Sequence, residues 1–250
     1  MPRLITLLTD FGTADGYVGE MKGVLASLAP QCAVVDIAHD VVPQDVEGAR
    51  LALARYWRRF PVGTVHLVVV DPGVGSERAA LAAASEGRFL VGPDNGVLSP
   101  ALLHADARCV SLTIPTGVAP TFHGRDVFAP AVAQLAHGAS LESLGDIAES
   151  PVIRRTPEAT RRDDGAVQGE VITVDRFGNA VTNLLAMRGG QVQVAGLTLA
   201  LRRTYADAAT GEAIALVGSS GLVEVAVRDG SASQLLGLSR GSGVVLLPRS

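Results

Sequence analysis

"TVHLVVVDPGVGSER" occupies residues 64–78. Its apolar run is too short for a helix and lacks the polar/apolar alternation of a strand with one wet face. It reads as a strand covered on both sides, as in a parallel sheet sandwiched by helices. The run stops at Asp71, passes through a Pro-Gly-Val-Gly-Ser turn, and returns Arg78 just before the chain becomes apolar again. Two earlier stretches have the same character: "LITLLTD" at residues 4–10 and "CAVVDI" at residues 32–37. Between the three runs, residues 16–28 and 46–60 have helical spacing. Val46, Ala49, Leu53 and Trp57 form a core stripe on the second. Residues 126–137 predict another helix, stopped by Gly138 at its C-cap. Strand alternating with helix implies a doubly wound α/β domain with a mostly parallel sheet and flanking helices over residues 1–150.

The stretch "SPVIRRTPEATRRDDGA" is charged, contains proline and has no period, so residues 151–165 read as a linker. Beyond it, residues 166–250 change rhythm. Short apolar runs such as "VQGEVITVD", "QVQVAGLTLAL" and "LVEVAVRDG" are punctuated by Gly or Asp-Gly, which predicts a smaller antiparallel β-barrel-like domain. Helical periodicity is nearly absent there.

Composition narrows the function. The chain of 250 residues is 48% hydrophobic, enough for a large core, and its net charge of −4 argues against a nucleic-acid surface. Cys32 and Cys109 lie far apart in apolar segments and read as buried reduced thiols, with no C-x-x-C pair for metal or redox work. The first apolar run is short and is broken by Asp10, unlike a signal peptide, and no stretch approaches membrane-span length. A cytoplasmic protein is the expectation.

In open α/β sheets ligands bind beyond the carboxyl ends of the strands. Asp10 and Asp71 both end strands, so they either cap the turns that follow or share a site edge. "GVGS" lacks the Lys-Ser/Thr of a P-loop, and there is no dinucleotide fingerprint. "TFHGRDVFAP", residues 121–130, is the other dense cluster. Asp126 and Arg125 are either helix-start and surface charges or site groups, whereas His123 at a loop–helix junction suits site chemistry. His39, His66, His104 and His137 read as structural. A metal site of Asp10, Asp71, His123 and Asp126 in a phosphoesterase-like enzyme is a rival, although no H-E-x-x-H or Cys/His ligand pattern is present. In the second half, Phe177 beside Gly178 and Asn179 suits a flat heterocycle, by ring stacking and amide hydrogen bonds.

"TDFG", "DPGVGSER", "VGPDNGVLS", "FHGRDVFAP", "DRFGNAVTN" and "GSSGLVEVAV" follow one another across nearly the whole chain. Together they closely resemble the S-adenosyl-L-methionine (SAM) hydrolases, or SAM hydroxide adenosyltransferases, relatives of the fluorinase and chlorinase. The resemblance implies homotrimers that bind SAM between the N-terminal domain of one subunit and the C-terminal domain of the next. It implies attack of water or hydroxide on C5′, giving adenosine and L-methionine without a cofactor or metal. At matching positions, Asp71, Arg78 and His123 would hold and activate the water, and Asp10 would hold the ribose diol. Phe177 and Asn179 would contact the adenine region and Val227 would supply backbone contacts. Asp175, Ser219 and Glu224 would serve the methionine end or neighbouring positions.

Three departures from the halogenating branch accompany the match. Those relatives carry tyrosine where Asp71 stands here, and the fluorinase has serine at the position of Gly124 and arginine at that of Ser220. A carboxylate beside the nucleophile pocket repels a halide at short range, so hydrolysis is expected over halogenation. A SAM or adenosine sensor without turnover, and a 5′-halogenating enzyme, are the alternatives.

Overall fold

The computed structural model describes residues 4–186 and 189–248. The chain divides into two compact units, Met1–Arg155 and Thr156–Ser250.

The first unit runs β1 (Ile5–Thr9), α1 (Tyr17–Leu28), β2 (Val34–Ala38), α2 (Val46–Tyr56), β3 (Val65–Val69), β4 (Ala80–Ser85), β5 (Arg88–Pro93), α3 (Ser99–Leu102), β6 (Arg108–Leu112), α4 (Ala129–Ala136) and β7 (Gly145–Ile147). The strands form one sheet in the order β2-β1-β3-β5-β4-β6-β7. Pairing is parallel from β2 through β5 and antiparallel across β4, β6 and β7.

The continuous apolar runs are explained by two cores, one on each face. Val65, Leu67 and Val69 pack with Met21, Leu25 and Phe128 on one side. Val68 and Val70 pack with Val46, Ala49, Leu53 and Trp57 on the other, which is the core stripe read from the sequence. Both faces of β3 are therefore dry, as its text requires. β2 differs from the buried strand expected of "CAVVDI": it is the sheet's edge, and Val35 and Asp36 are exposed. With one neighbour instead of two, a strand of the same composition keeps a wet side.

The second unit contains β8 (Thr160–Arg161), β9 (Val167–Val174), β10 (Ala180–Leu185), β11 (Gln191–Val194), β12 (Leu197–Arg202), β13 (Ala213–Val217), β14 (Leu222–Val227), α5 (Ala232–Leu236) and β15 (Gly243–Leu246). Seven strands close into a barrel, because β9 pairs with both β15 and β10; β8 adds to the outside of β9. All pairings are antiparallel except β12–β13. Alternation fills the barrel: Val223, Val225 and Val227 of β14 face the core, while Glu224 lies on the opposite face of the strand. α5 is a short helix in text that carries no helical period. Ser231 caps it by accepting from Gln234 N at 3.2 Å, and Gly237 ends it in the left-handed region.

The stretch read as a linker is held at both ends within its own unit. Val152 and Arg154 hydrogen-bond to residues of the first unit, and Thr160–Arg161 pairs with β9.

Candidate active site

The sheet delivers Asp71 two residues beyond β3, at its carboxyl end, where the flanking ladders have stopped. The turn that follows is compact: Val74 N donates to Asp71 O and Ser76 N to Gly73 O. Gly75 has φ +78°, a backbone state that L side chains resist, and a β-carbon there would lie 2.5 Å from the Pro120 carbonyl oxygen. Ser76 Oγ accepts from Arg78 N at 3.3 Å. The chain is thereby turned back so that Arg78 faces Asp71.

The resulting contacts form one charged cluster. Arg78 Nε donates to Asp71 Oδ1 at 2.9 Å, and Nη2 donates to Asp71 Oδ2. This is the two-pronged geometry in which a guanidinium matches a carboxylate best. The remaining Nη2 hydrogen reaches His123 Nδ1 at 3.0 Å. Both charged side chains are nearly buried, Asp71 5% and Arg78 10% exposed. The guanidinium also lies over the Phe128 ring, 5.3 Å from its centroid.

His123 arrives from a separate element. It precedes a π turn over Gly124–Phe128 that leads into α4, with Pro130 in the first turn of that helix. Burial lowers the imidazole pKa and the Arg78 charge lowers it further, while Asp71 and Asp126 pull the other way. The ring is held neutral. Since arginine only donates, Nδ1 accepts, and the single ring proton sits on Nε2. Asp71, Arg78 and His123, predicted from two motifs, thus meet through one guanidinium.

The other members of the "FHGRD" cluster are committed elsewhere. Arg125 Nε donates to Asp126 Oδ1 at 2.6 Å and Nη1 to Glu20 Oε2 at 2.7 Å; Asp126 Oδ2 accepts from Ala119 N at 3.0 Å. The Arg125 bond, first, and the Ala119 amide hold the Asp126 carboxyl below its usual range. These two residues fasten the loop rather than line a ligand. Among the described residues, no three His, Cys, Asp or Glu side chains gather as metal ligands would, so the four residues of the phosphoesterase-like rival are not assembled into a ligand set.

Asp10 follows β1 and accepts from Gln44 N at 2.7 Å through Oδ2. Its loop is secured from behind, where Gly12 N donates to His39 O and Thr9 Oγ1 bonds His39 Nδ1 at 2.9 Å. His39, read as structural, therefore supports this loop.

In the second unit the predicted residues fall in two places. The β9–β10 turn is built on Asp175: Oδ1 accepts from Phe177 N and Asn179 N, and Oδ2 from Asn179 Nδ2, each at 2.9 Å. Gly178 has φ +80°, and a β-carbon there would collide with Ser231. Asn179 is buried, whereas Phe177 stands 78% exposed. Asp175 consequently acts inside its own turn and displays Phe177. On β13–β14, Ser219 is exposed in the turn and Glu224 is buried, accepting from Tyr205 Oη at 3.3 Å. Val227 is buried, with its carbonyl taken by Gly230 N at 3.2 Å. Tyr205 was missed in the sequence because it sits in no strand text; burial, then Glu224, raises its phenol pKa.

Comparison with known proteins identifies the family. Residues 5–145 match the SAM hydroxide adenosyltransferase N-terminal domain, and residues 169–245 match the C-terminal domain of the same family. The chain belongs to the SAM hydroxide adenosyltransferase family. A relative from Thermus thermophilus, named (R)-S-adenosyl-L-methionine hydrolase, is 46% identical over 98% of this chain and 100% of its own length. A fluorinase from Actinopolyspora mzabensis is 28% identical over 96% of each chain. The crystal structure of an uncharacterized conserved protein from Thermotoga maritima superposes with a TM-score of 0.89 at 33% identity, covering 98% of this chain and 100% of that one. Within the family, this chain is more similar to the hydrolase than to the fluorinase.

Proposed function

We propose that the protein hydrolyses S-adenosyl-L-methionine to adenosine and L-methionine by attack of water at C5′. The observation that carries this reading is the single guanidinium that holds a carboxylate and a neutral imidazole together at the carboxyl edge of the sheet. The hydrolase name of the 46%-identical relative supports it. That name specifies the R configuration at sulfur, so the R epimer is the first substrate to test.

The leaving group is a neutral thioether departing from a sulfonium, and it needs no proton. Catalysis therefore acts on the nucleophile, chiefly by holding water in line behind C5′; such positioning contributes several kcal/mol, roughly 7–11 at the limit. Each group has a defined task. His123, protonated on Nε2, donates to the water oxygen and orients it. Arg78 spends its donors on Asp71 and His123 and fixes both. Asp71 keeps lone pairs beyond those used by Arg78, and it accepts the water's proton. The oxonium formed on attack is acidic enough for a weak carboxylate base to take that proton. A bound halide would sit against the same carboxylate, which disfavours halogenation.

Asp10 binds the ribose diol and Phe177 stacks on the adenine, with Asn179 beside it. Val227 supplies backbone contacts, Ser219 and Glu224 serve the methionine end or neighbouring positions, and Asp175, placed there by the resemblance, acts by holding the turn of Phe177 and Asn179. Homotrimeric assembly, with sites shared between neighbouring copies, and a cytoplasmic location belong to the same proposal. Both cysteines are free, as a reducing compartment allows, and among the described residues no helix is long and apolar enough to cross a membrane.

The test is incubation with each sulfonium epimer, with and without chloride, followed by product quantification and light scattering. Equal adenosine and methionine from a trimer is the expected result. Binding without product would make the protein a sensor, and a 5′-chloronucleoside would make it a halogenating enzyme.

A further inference from the structure

The block "VGPDNGVLS" has no part in the water site as read from the sequence, yet its turn grips both ends of the loop that carries Asp71 and Arg78. We propose that Asn95 is a positioning residue for the Asp71–Arg78 pair, a role that rests on the hydrolase reading above.

The need for such a residue arises where β3 ends. The last ladder partners are Thr9↔Val69 on one side and Leu67↔Val91 on the other, so Val70 lies past both. Val70 is fully buried, and a buried carbonyl without a partner is costly. Asn95 Nδ2 donates to that oxygen at 2.9 Å. The Val70 carbonyl and the Asp71 N–H belong to one planar peptide unit. Fixing the oxygen therefore fixes the peptide plane that sets the position of the Asp71 amide and α-carbon.

Asn95 is itself locked. Its Oδ1 accepts from Val97 N at 3.1 Å, which leaves the amide nitrogen to face Val70. The neighbouring Asp94 N donates to Ala79 O at 2.9 Å, and Arg78 Nη1 approaches the same oxygen at 3.4 Å. One turn thus anchors the residue before Asp71 and the residue after Arg78. The chain leaving the first unit straps this turn down. Val152 N donates to Asp94 Oδ1 at 2.7 Å and Arg154 Nε to Asn95 O at 2.8 Å. Gly96 has φ +91°, and its missing side chain leaves room for the Arg154 stem.

The experiment compares Asn95→Asp, Asn95→Ala and Ser99→Ala. Asn95→Asp keeps the shape and the acceptor for Val97 but cannot donate to Val70. Ser99→Ala loosens the same turn, since Ser99 Oγ bonds Gly96 O and Arg154 N, without touching Val70 or Ala79. Both Asn95 variants are expected to lose about 10- to 100-fold in kcat on (R)-SAM with KM within about 2-fold, and Ser99→Ala to stay within about 2-fold in kcat. Independently of substrate, the slowly exchanging Arg78 Nε–H resonance should weaken in Asn95→Asp and persist in Ser99→Ala. Where Asn95→Ala does not fold, Asn95→Asp and this resonance decide. Asn95 variants as fast as wild type, or an equal loss in Ser99→Ala, would overturn the role. A wild type inert toward SAM would instead refute the hydrolase reading, leaving the resonance to test the clamp.

Discussion

The two units prepare their predicted residues in opposite ways. In the first, Asp71 and Arg78 are almost wholly buried, each satisfied by the other, and His123 is tied to the same guanidinium. In the second, Phe177 and Ser219 face outward, on turns whose backbones are firmly held by Asp175 and by Gly218 to Leu222. The groups proposed to act on a water are buried at the carboxyl edge of the sheet. Phe177 and Ser219, proposed to recognise a ligand, are displayed on held turns, whereas Asn179, Glu224 and Val227 are buried. The contrast implies that changes in the buried cluster of the first unit strike turnover and stability together, while changes in the exposed turns of the second raise KM and spare kcat.

The harshest trial of that contrast is Asp71→Asn. It leaves the near-buried guanidinium without its counter-charge, and a broken buried pair costs about 3–5 kcal/mol. Turnover should fall on the order of 10³-fold, the middle of the range for losing a positioned proton acceptor. Steady-state kinetics with thermal unfolding checks it, and unchanged kcat would remove Asp71 from the chemistry.

Acid should also find the first unit. His66 is fully buried, bonded to Thr6 Oγ1 at 2.8 Å, and its pKa is pushed down to about 4 by burial and by the Arg88 charge. As pH falls below the unfolded value of 6.5, the unfolded chain takes up a proton that the folded chain refuses. Stability is therefore lost between about pH 6.5 and pH 4, on the order of 3 kcal/mol in all. Urea unfolding at about pH 7 and about pH 4.5, as the difference between wild type and His66→Gln, isolates this effect. A flat difference would mean that the imidazole is not buried neutral.

In the second unit, Gly178→Ala forces a side chain into a left-handed position and against Ser231, at about 1–3 kcal/mol. It should raise KM by displacing Phe177 and leave kcat within about 2-fold, because the water site lies elsewhere. Phe177→Ala should be milder: stability within about 0.5 kcal/mol, as for an exposed side chain, and KM up about 10-fold through lost stacking. A fall in kcat from either variant would blur the division between the units.

Much of this was legible in the text of the chain. The two-faced burial of β3 follows from Val65 and Leu67–Val70, and the strand end at Asp71 and the loop–helix junction at His123 mark both as candidate site groups. Other features were not. The exposed edge of β2 depends on sheet order, which "CAVVDI" does not encode. α5 is too short to show a period, although Ser231 and Gly237 marked its ends. The text of the chain leaves Arg125 and Asp126 open as site groups, and only their mutual pairing commits them to the loop. Asn95 lies in "VGPDNGVLS", which carries the family resemblance, yet only the position of the Val70 carbonyl gives its amide a purpose. Propensity and period describe elements; which carbonyl lacks a ladder partner is a property of the assembled sheet.

The pH dependence of kcat/KM adds a smaller check. Neutral His123 persists below its ordinary value of 6.5, so activity should hold through that pH and fail only on the acid side of it, when protonated Nδ1 can no longer accept from Arg78. A midpoint at or above 6.5 would contradict the assigned tautomer.

The most direct measurement is turnover of (R)-SAM in ¹⁸O-labelled water with mass analysis of both products. Attack of a held water on C5′ places the label in the 5′-hydroxyl of adenosine and none in methionine. Label in methionine, or adenosine without label, would contradict water attack at C5′ directed by Asp71, Arg78 and His123.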